Sequence, residues 1–265
     1  MSDDQTSNGP KAEVTPIRFG LDDTFTFECH KGVPCFTECC RGISIMLTPY
    51  DILRLKNRLG LPSDQFLAIY TEPRILERTD LPVVTLKLLD DDRQSCPFVK
   101  DGEGCIIYED RPTTCRYYPL GVASLSHKEE DASPDGEGFY FFINEPHCKG
   151  FEENKNWTVE AWRKDQGVDI HDEINAEWTD LLVRKRSFPP NLKLTEEAKK
   201  MFFMASYDLD TFKRFVFESS FFERYQIDDE TKKKIENDEI ELMQFGFRWL
   251  KSILFKGEGD FQPKE

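Results

Sequence analysis

Cys29-His30-Lys31-Gly32-Val33-Pro34-Cys35-Phe36-Thr37-Glu38-Cys39-Cys40 carries four of the chain's eight cysteines. The other four, Cys96, Cys105, Cys115 and Cys148, follow it, and none lies beyond residue 148 of a chain of 265. Thiols confined in this way imply one site or two adjacent ones, not small hydrophobes scattered through a core. The spacing is Cys-x5-Cys-x3-Cys-Cys, then gaps of eight and nine residues between Cys96, Cys105 and Cys115. Thiolates are soft ligands that select zinc, copper(I) or iron–sulfur clusters. A structural zinc takes four tetrahedral ligands, commonly as two close pairs, and this spacing is not that of a zinc finger or ribbon. Nor is it the spacing of bacterial or plant-type ferredoxins. All eight residues form the candidate ligand pool: Cys29, Cys35, Cys39, Cys40, Cys96, Cys105, Cys115 and Cys148. Neighbouring side chains diverge in most backbone conformations, so Cys39 and Cys40 fit different metal atoms, or one ligates and the other is a reactive or spare thiol. Eight thiols supply two four-thiolate sites, or one cluster with extra cysteines. The expected cofactor is an iron–sulfur cluster or iron, with zinc as the alternative.

An even number of cysteines also allows four disulfides. Residues 1–16, however, lack the basic start and apolar stretch of a secretory signal. No run approaches the roughly 18 apolar residues of a membrane span. The expectation is a cytoplasmic protein without a membrane partner, whose thiols stay reduced. In that setting the same cysteine pattern points to metal. A net charge of −15 repels phosphate backbones and anionic membranes, so nucleic acid is not an expected partner. Hydrophobic content is 38%, yet 22 Phe, 8 Tyr and 4 Trp supply core material, which argues against disorder of the whole chain.

Residues 1–20 read as a disordered tail. Thr24-Phe25-Thr26-Phe27 alternates with period two, a short strand delivering Cys29. Ile43–Leu47 is a second strand candidate. Thr48 caps a helix with Pro49 at its first position, Asp51 at its third and Gly60 at its end. Ser63 opens another helix, and Val83–Leu89 reads as a strand. Pro112 suits the first turn of a short helix bearing Cys115, where Arg111 and Arg116 either support thiolate or cluster charge or pair with carboxylates. Gly121–Ser126 and Phe139–Ile143 form a hairpin around an acidic loop from His127 to Gly138. Beyond Phe151 the pattern turns helical: Thr158 caps a helix containing Trp162, and Ile170, Ile174, Trp178 and Leu181 share a face. Phe188-Pro189-Pro190-Asn191 breaks the chain. Helices are expected over Thr195–Tyr207, Asp210 to about Tyr225, and Asp228–Phe255. Their phenylalanines (Phe202, Phe203, Phe212, Phe215, Phe245, Phe247) suit a helical core. His30 and His147 adjoin cysteines and read as polar neighbours more than ligands; His127 and His171 have no assigned role. The fold class is α+β. A small cysteine-rich metal-binding part with short strands and helices (21–150) precedes a mainly helical part (151–256), and 257–265 is a tail.

Phe27–Cys40, Cys96-Pro97-Phe98, Gly104-Cys105, Tyr108, Asp110-Arg111-Pro112, Cys115-Arg116 and Tyr118-Pro119 together resemble the YkgJ-type cysteine-cluster family. Its members are described as zinc- or iron-chelating proteins with a CxxCxxCC signature. The Arg-Pro-x-x-Cys-Arg-x-Tyr-Pro motif matches at every fixed position. The first motif departs, with gaps of five and three residues where the signature has two and two. The resemblance spans roughly residues 25–150 and implies metal chelation by the cysteines. Flagellin lysine N-methylases contain a similar cysteine domain, which makes a protein lysine N-methylase the alternative function. No Gly-rich loop after a strand offers an S-adenosylmethionine site, and Asp101-Gly102-Glu103-Gly104 is a turn. No Cys-x-x-Cys, Ser/His/Asp set or phosphate loop is present, so no substrate class is legible.

Overall fold

The computed structural model describes residues 13–14, 18–123, 139–189, 191–255 and 261. The expected loop from His127 to Gly138 lies outside these residues, as does most of each expected tail. The elements in chain order are β1 (Glu13–Val14), β2 (Thr24–Thr26), β3 (Met46–Leu47), α1 (Pro49–Leu59), α2 (Ser63–Tyr70), β4 (Thr71–Ile75) and β5 (Pro82–Leu86). Next come β6 (Val99–Lys100), β7 (Gly104–Cys105), α3 (Thr113–Tyr117), β8 (Leu120–Ala123), β9 (Phe139–Asn144) and β10 (Asn156–Thr158). The remainder is helical: α4 (Val159–Gln166), α5 (Val168–Ser187), α6 (Glu196–Tyr207), α7 (Leu209–Glu218), α8 (Phe221–Arg224), α9 (Asp229–Asn237) and α10 (Glu239–Leu254). This is the α+β class, with the cysteines in the N-terminal part and helices dominating the C-terminal part. No helix among the described residues is long and apolar enough to cross a membrane.

The chain forms two compact units that interleave in sequence. The first comprises Met1–Ile43, Leu88–Ile106 and Thr114–Gly167, and so contains all eight cysteines. Its strands pair antiparallel as β1-β9-β8, β10-β2 and β6-β7. Pairing of Leu120–Ala123 with Phe139–Phe142 forms the expected hairpin. Strands of two to six residues carry few ladder bonds, and this unit draws its cohesion from rings. Trp162 meets Phe25, Phe27 and Trp157 edge-on at 5.9, 5.6 and 5.2 Å, and Phe151 meets Phe27 at 5.2 Å. Such edge-to-face pairs add about 0.5–1.5 kcal/mol each beyond the area they bury. Thr158 accepts from the Ala161 amide at 3.0 Å and caps α4 as its position in sequence requires.

The second unit comprises Ser44–Lys87, Ile107–Thr113 and Val168–Glu265. Its antiparallel sheet runs β3-β5-β4, with β5 buried throughout. In α1 the expected capping box is complete: Thr48 Oγ1 accepts from the Asp51 amide at 3.1 Å, and Asp51 Oδ2 accepts from the Thr48 amide at 2.9 Å. Gly60 ends the helix at φ 67°, a left-handed conformation that glycine adopts without steric cost. Phe202, Phe212, Phe245 and Phe247 are buried, and the Trp249 ring lies 5.5–5.7 Å from those of Phe212, Phe215 and Phe221.

Two expected helices are each divided. Asp228–Phe255 breaks at Asp238, whose carboxylate accepts from the Ile240 and Glu241 amides and starts α10. The expected helix from Asp210 breaks at Ser219-Ser220, and Ser219 Oγ returns to the Phe215 carbonyl at 2.6 Å. In both places a short polar side chain offers the backbone a local partner that competes with helix continuation. The expected strand Val83–Leu89 stops at Leu86.

Asp51 is fully buried. Its second oxygen accepts from both the amide (2.9 Å) and the hydroxyl (2.7 Å) of Thr113. The Thr113 oxygen also lies 2.9 Å from Nδ1 of His171, itself buried. One carboxylate thus joins three separate stretches of this unit. Asp51→Ala strands several buried donors, and the expected cost is about 2–4 kcal/mol. A lower urea midpoint at unchanged m-value checks this; a midpoint within error of the parent's would contradict it.

Candidate metal centre

Phe27 sets the entry to the cysteine loop. Its amide donates to the Lys155 carbonyl at 2.9 Å, and its own carbonyl accepts from Trp157 Nε1 at 2.9 Å. The Glu28 amide donates to the Gly150 carbonyl at 3.0 Å, so the chain reaches Cys29 already held against residues 150–157. From His30 onward the backbone advances by i→i+3 bonds: Val33 to His30, Phe36 to Val33, Glu38 to Cys35 and Cys40 to Thr37. Gly32 and Pro34 are the turn residues among them, as their chemistry predicts. Thr37 adopts φ 72° immediately before the 3-10 turn Glu38–Cys40. A β-branched residue at positive φ is strained by roughly 1–3 kcal/mol, and such strain clusters at functional sites.

Beyond the turn, Cys40 is fixed to the hairpin that carries Cys96 and Cys105. The Cys96 amide donates to the Cys40 carbonyl at 2.8 Å, and Gly42 donates to Gln94 at 3.0 Å. Arg41 reaches Ser95 Oγ at 2.8 Å and Asp101 at 2.7 Å. Within the hairpin, Val99 pairs with Cys105.

Four of the sequence-derived candidates converge. Cys29, Cys35, Cys39 and Cys148 line one pocket together with Phe27, Tyr118, His147 and Gly150. The Lys149 amide donates to Cys35 Sγ at 3.0 Å, a bond that stabilises a thiolate and tunes a cluster's potential. Cys40, Cys96, Cys105 and Cys115 are not among the residues lining that pocket. All eight cysteines are free, and only Cys96 is fully buried.

Close packing makes Cys29, Cys39, Cys96 and Cys148 hold their protons. Cys29 is exposed as a residue, yet partial desolvation of its thiol pushes it up to about 11, with Cys35, Cys148 and Cys40 adding like-charge repulsion. Burial likewise pushes Cys96 up to about 12, partly offset by the Phe98 amide. Cys39 is hydrogen-bonded to Cys40, which raises Cys39 and lowers Cys40. Burial, then contact with Cys148, raises the Tyr118 hydroxyl. A bound cation reverses this balance, because it neutralises thiolate charge and releases protons as it binds.

His30 and His147 both have polar partners. His30 Nδ1 accepts from the Gly32 amide at 3.0 Å, and Nε2 lies 3.5 Å from Glu153. Glu28, His30 and Glu153 form the one group of three potential ligand atoms within 4.8 Å of one another among the described residues. His147 lines the thiol pocket, and its buried Nε2 lies 3.4 Å from Glu145. His127 is outside the described residues. Arg116 is buried and donates to the Gln166 carbonyl at 2.8 Å. Arg111 donates to the Tyr108 carbonyl at 2.6 Å and lies over the Tyr108 ring.

Sequence reasoning missed Tyr118 and Gly150 as parts of the pocket wall. Tyr118 was signalled by its place in the Cys-Arg-x-Tyr-Pro motif. Gly150 had no signal, since what excludes a side chain there is distant in sequence. A Cβ at residue 150 would meet the Phe27 ring at 2.5 Å and the Glu28 carbonyl at 2.9 Å. Gly150→Ala must therefore displace backbone beside Cys148, with an expected loss of about 1–3 kcal/mol. A thermal melt reads this directly; an unchanged midpoint would show that the wall yields freely.

A scan against protein-family models matches residues 28–156 to the family CxxCxxCC, described as "Putative zinc- or iron-chelating domain". Searches of curated proteins and of solved structures returned no match. The matched span takes in every cysteine, from Cys29 to Cys148. The donor set, free thiols gathered in one compact unit with four lining one pocket, fits a soft metal. The stretch that bears all eight candidate thiols, residues 28–156, thus matches the CxxCxxCC family model.

Proposed function

We propose that this protein holds iron in an iron–sulfur cluster ligated by the thiolates of the first unit, with Cys29, Cys35, Cys39 and Cys148 among the ligands. The observation that carries the reading is the single pocket walled by these four thiols. Their spread supports a cluster over one zinc ion. Zinc–sulfur bonds of about 2.3 Å bring tetrahedral thiolates to within about 4 Å of one another. Among the described residues no three cysteine sulfurs lie within 4.8 Å of one another. A cluster holds its thiolates on separate iron atoms and so farther apart. The amide bond to Cys35 and the aromatic floor at Phe27 suit such a centre, because sulfur hydrogen bonds and solvent exclusion set cluster potentials. Eight reduced thiols fit a cytoplasmic setting.

Anaerobic purification with iron, zinc and acid-labile sulfide analysis tests the proposal. A brown protein absorbing near roughly 400 nm, with iron and sulfide in similar amounts, is expected. A colourless protein with stoichiometric zinc would overturn the cluster in favour of the zinc alternative.

Removal of the metal should also loosen the cysteine loop selectively. Residues 29–40 have turn bonds but no strand ladder, so their order depends on what their side chains are tied to. After chelation, amide exchange in 29–40 should accelerate more than about tenfold while the amides of α1 stay protected. Equal protection before and after chelation would contradict a metal-tied loop.

A further inference from the structure

We propose that the Tyr118 hydroxyl is the side-chain hydrogen-bond donor to the Cys148 sulfur of the metal centre, a positioning residue that sets how much charge this thiolate gives the metal. This rests on the reading of the pocket thiols as metal ligands and adds what tunes one of them.

Tyr118 follows α3 directly, and its amide donates to the Thr114 carbonyl at 3.3 Å. Its ring meets that of Phe27 edge-on at 6.0 Å. The phenol is thereby held in the wall it shares with Cys29, Cys35, Cys39 and Cys148. At its tip the hydroxyl is buried against Cys148, yet it completes no hydrogen bond of good geometry. Buried donors without an acceptor are costly and rare in native proteins, so one in a thiol pocket calls for a partner there.

Two acceptors are within its reach, the Cys148 sulfur and the Glu145 carboxylate. Glu145 is not part of the pocket wall, and it has the His147 ring at 3.4 Å as a donor of its own. Cys148 shares the wall with Tyr118. A thiol is a weak acceptor, whereas a ligating thiolate is charged, and charge-assisted bonds are roughly twice as strong as neutral ones. The ligated sulfur is therefore the partner that the hydroxyl fits. Cys35 has a donor of this kind in the Lys149 amide, at 3.0 Å. Tyr118 supplies the corresponding bond to Cys148 from a side chain, which a single substitution removes.

Such a bond draws charge from sulfur and away from the metal. Cobalt(II) loading of the reduced full chain reads this whichever metal the protein naturally carries. Tyr118→Phe keeps the ring against Phe27 and deletes the hydroxyl alone. It should bind as much cobalt per chain as the parent, with thiolate-to-cobalt absorption moved to longer wavelength. A 3-fluorotyrosine placed at 118, a stronger donor, should move the band to shorter wavelength. In a chain purified with an iron–sulfur cluster, Tyr118→Phe should also lower the ratio of reduced to oxidised centre about tenfold at a fixed potential, a shift of about 59 mV for one electron. A band unmoved by both replacements at equal cobalt content overturns the assignment and leaves thiolate ligation standing. Loss of cobalt from Tyr118→Phe, with the fluorinated chain still matching the parent, makes the ring a packing element only and overturns it equally. No thiolate-to-cobalt absorption in the parent overturns the reading of the thiols as ligands.

Discussion

A loop that bears four thiols and no strand depends for its shape on what those thiols are tied to. Between Cys29 and Cys40 the backbone is a run of three-residue turns ending in a 3-10 segment, with a strained threonine before it. Main-chain bonds secure its two ends, at Phe27 and Glu28 against residues 150–157 and at Cys40 against Cys96. The middle is left to its side chains. Metal–thiolate bonds fit that role: they are strong, they fix distances, and their free energy is folding free energy for a site absent from the unfolded chain.

The same constraint accounts for the unit around the loop. Three chain segments contribute cysteines, each beside a short element: the β2 exit, the β6–β7 hairpin with the approach to it from Cys96, and α3 together with the turn after β9 that bears Cys148. None of these has enough ladder bonding to hold a register alone. Aromatic contacts around Trp162 join β2 and its exit to β10, the thiol pocket brings the cysteine loop to Cys148 beside Phe27, and the Cys40–Cys96 backbone bond ties in the hairpin. The second unit needs no such device. It has a three-stranded sheet with a buried central strand, a phenylalanine-rich helical core and a carboxylate, Asp51, that joins three of its stretches.

Much of this was legible in the chain because the relevant signals are local. Thr48-Pro49-Tyr50-Asp51 is a complete helix start, and the capping box forms as those residues dictate. The thiol pool was legible for the same reason, since residue type and spacing within 29–40 single it out as a candidate ligand set. What was not legible is long-range. Nothing near Cys40 in sequence says that its carbonyl meets the Cys96 amide, and nothing near Gly150 says that Phe27 forbids a side chain there. The divided helices at Asp238 and Ser219 failed differently. Apolar periodicity continues across both breaks, and a single polar side chain bonding to its own backbone outweighs it.

X-ray absorption fine structure of the anaerobically purified protein, at the edge of the metal it carries, tests thiolate ligation most directly. The account predicts a first shell made of sulfur at about 2.3 Å, without light-atom ligands, and for iron a neighbouring iron in the next shell. A first shell of oxygen and nitrogen at about 2.0–2.2 Å would contradict it, because the metal would then sit away from the cysteines.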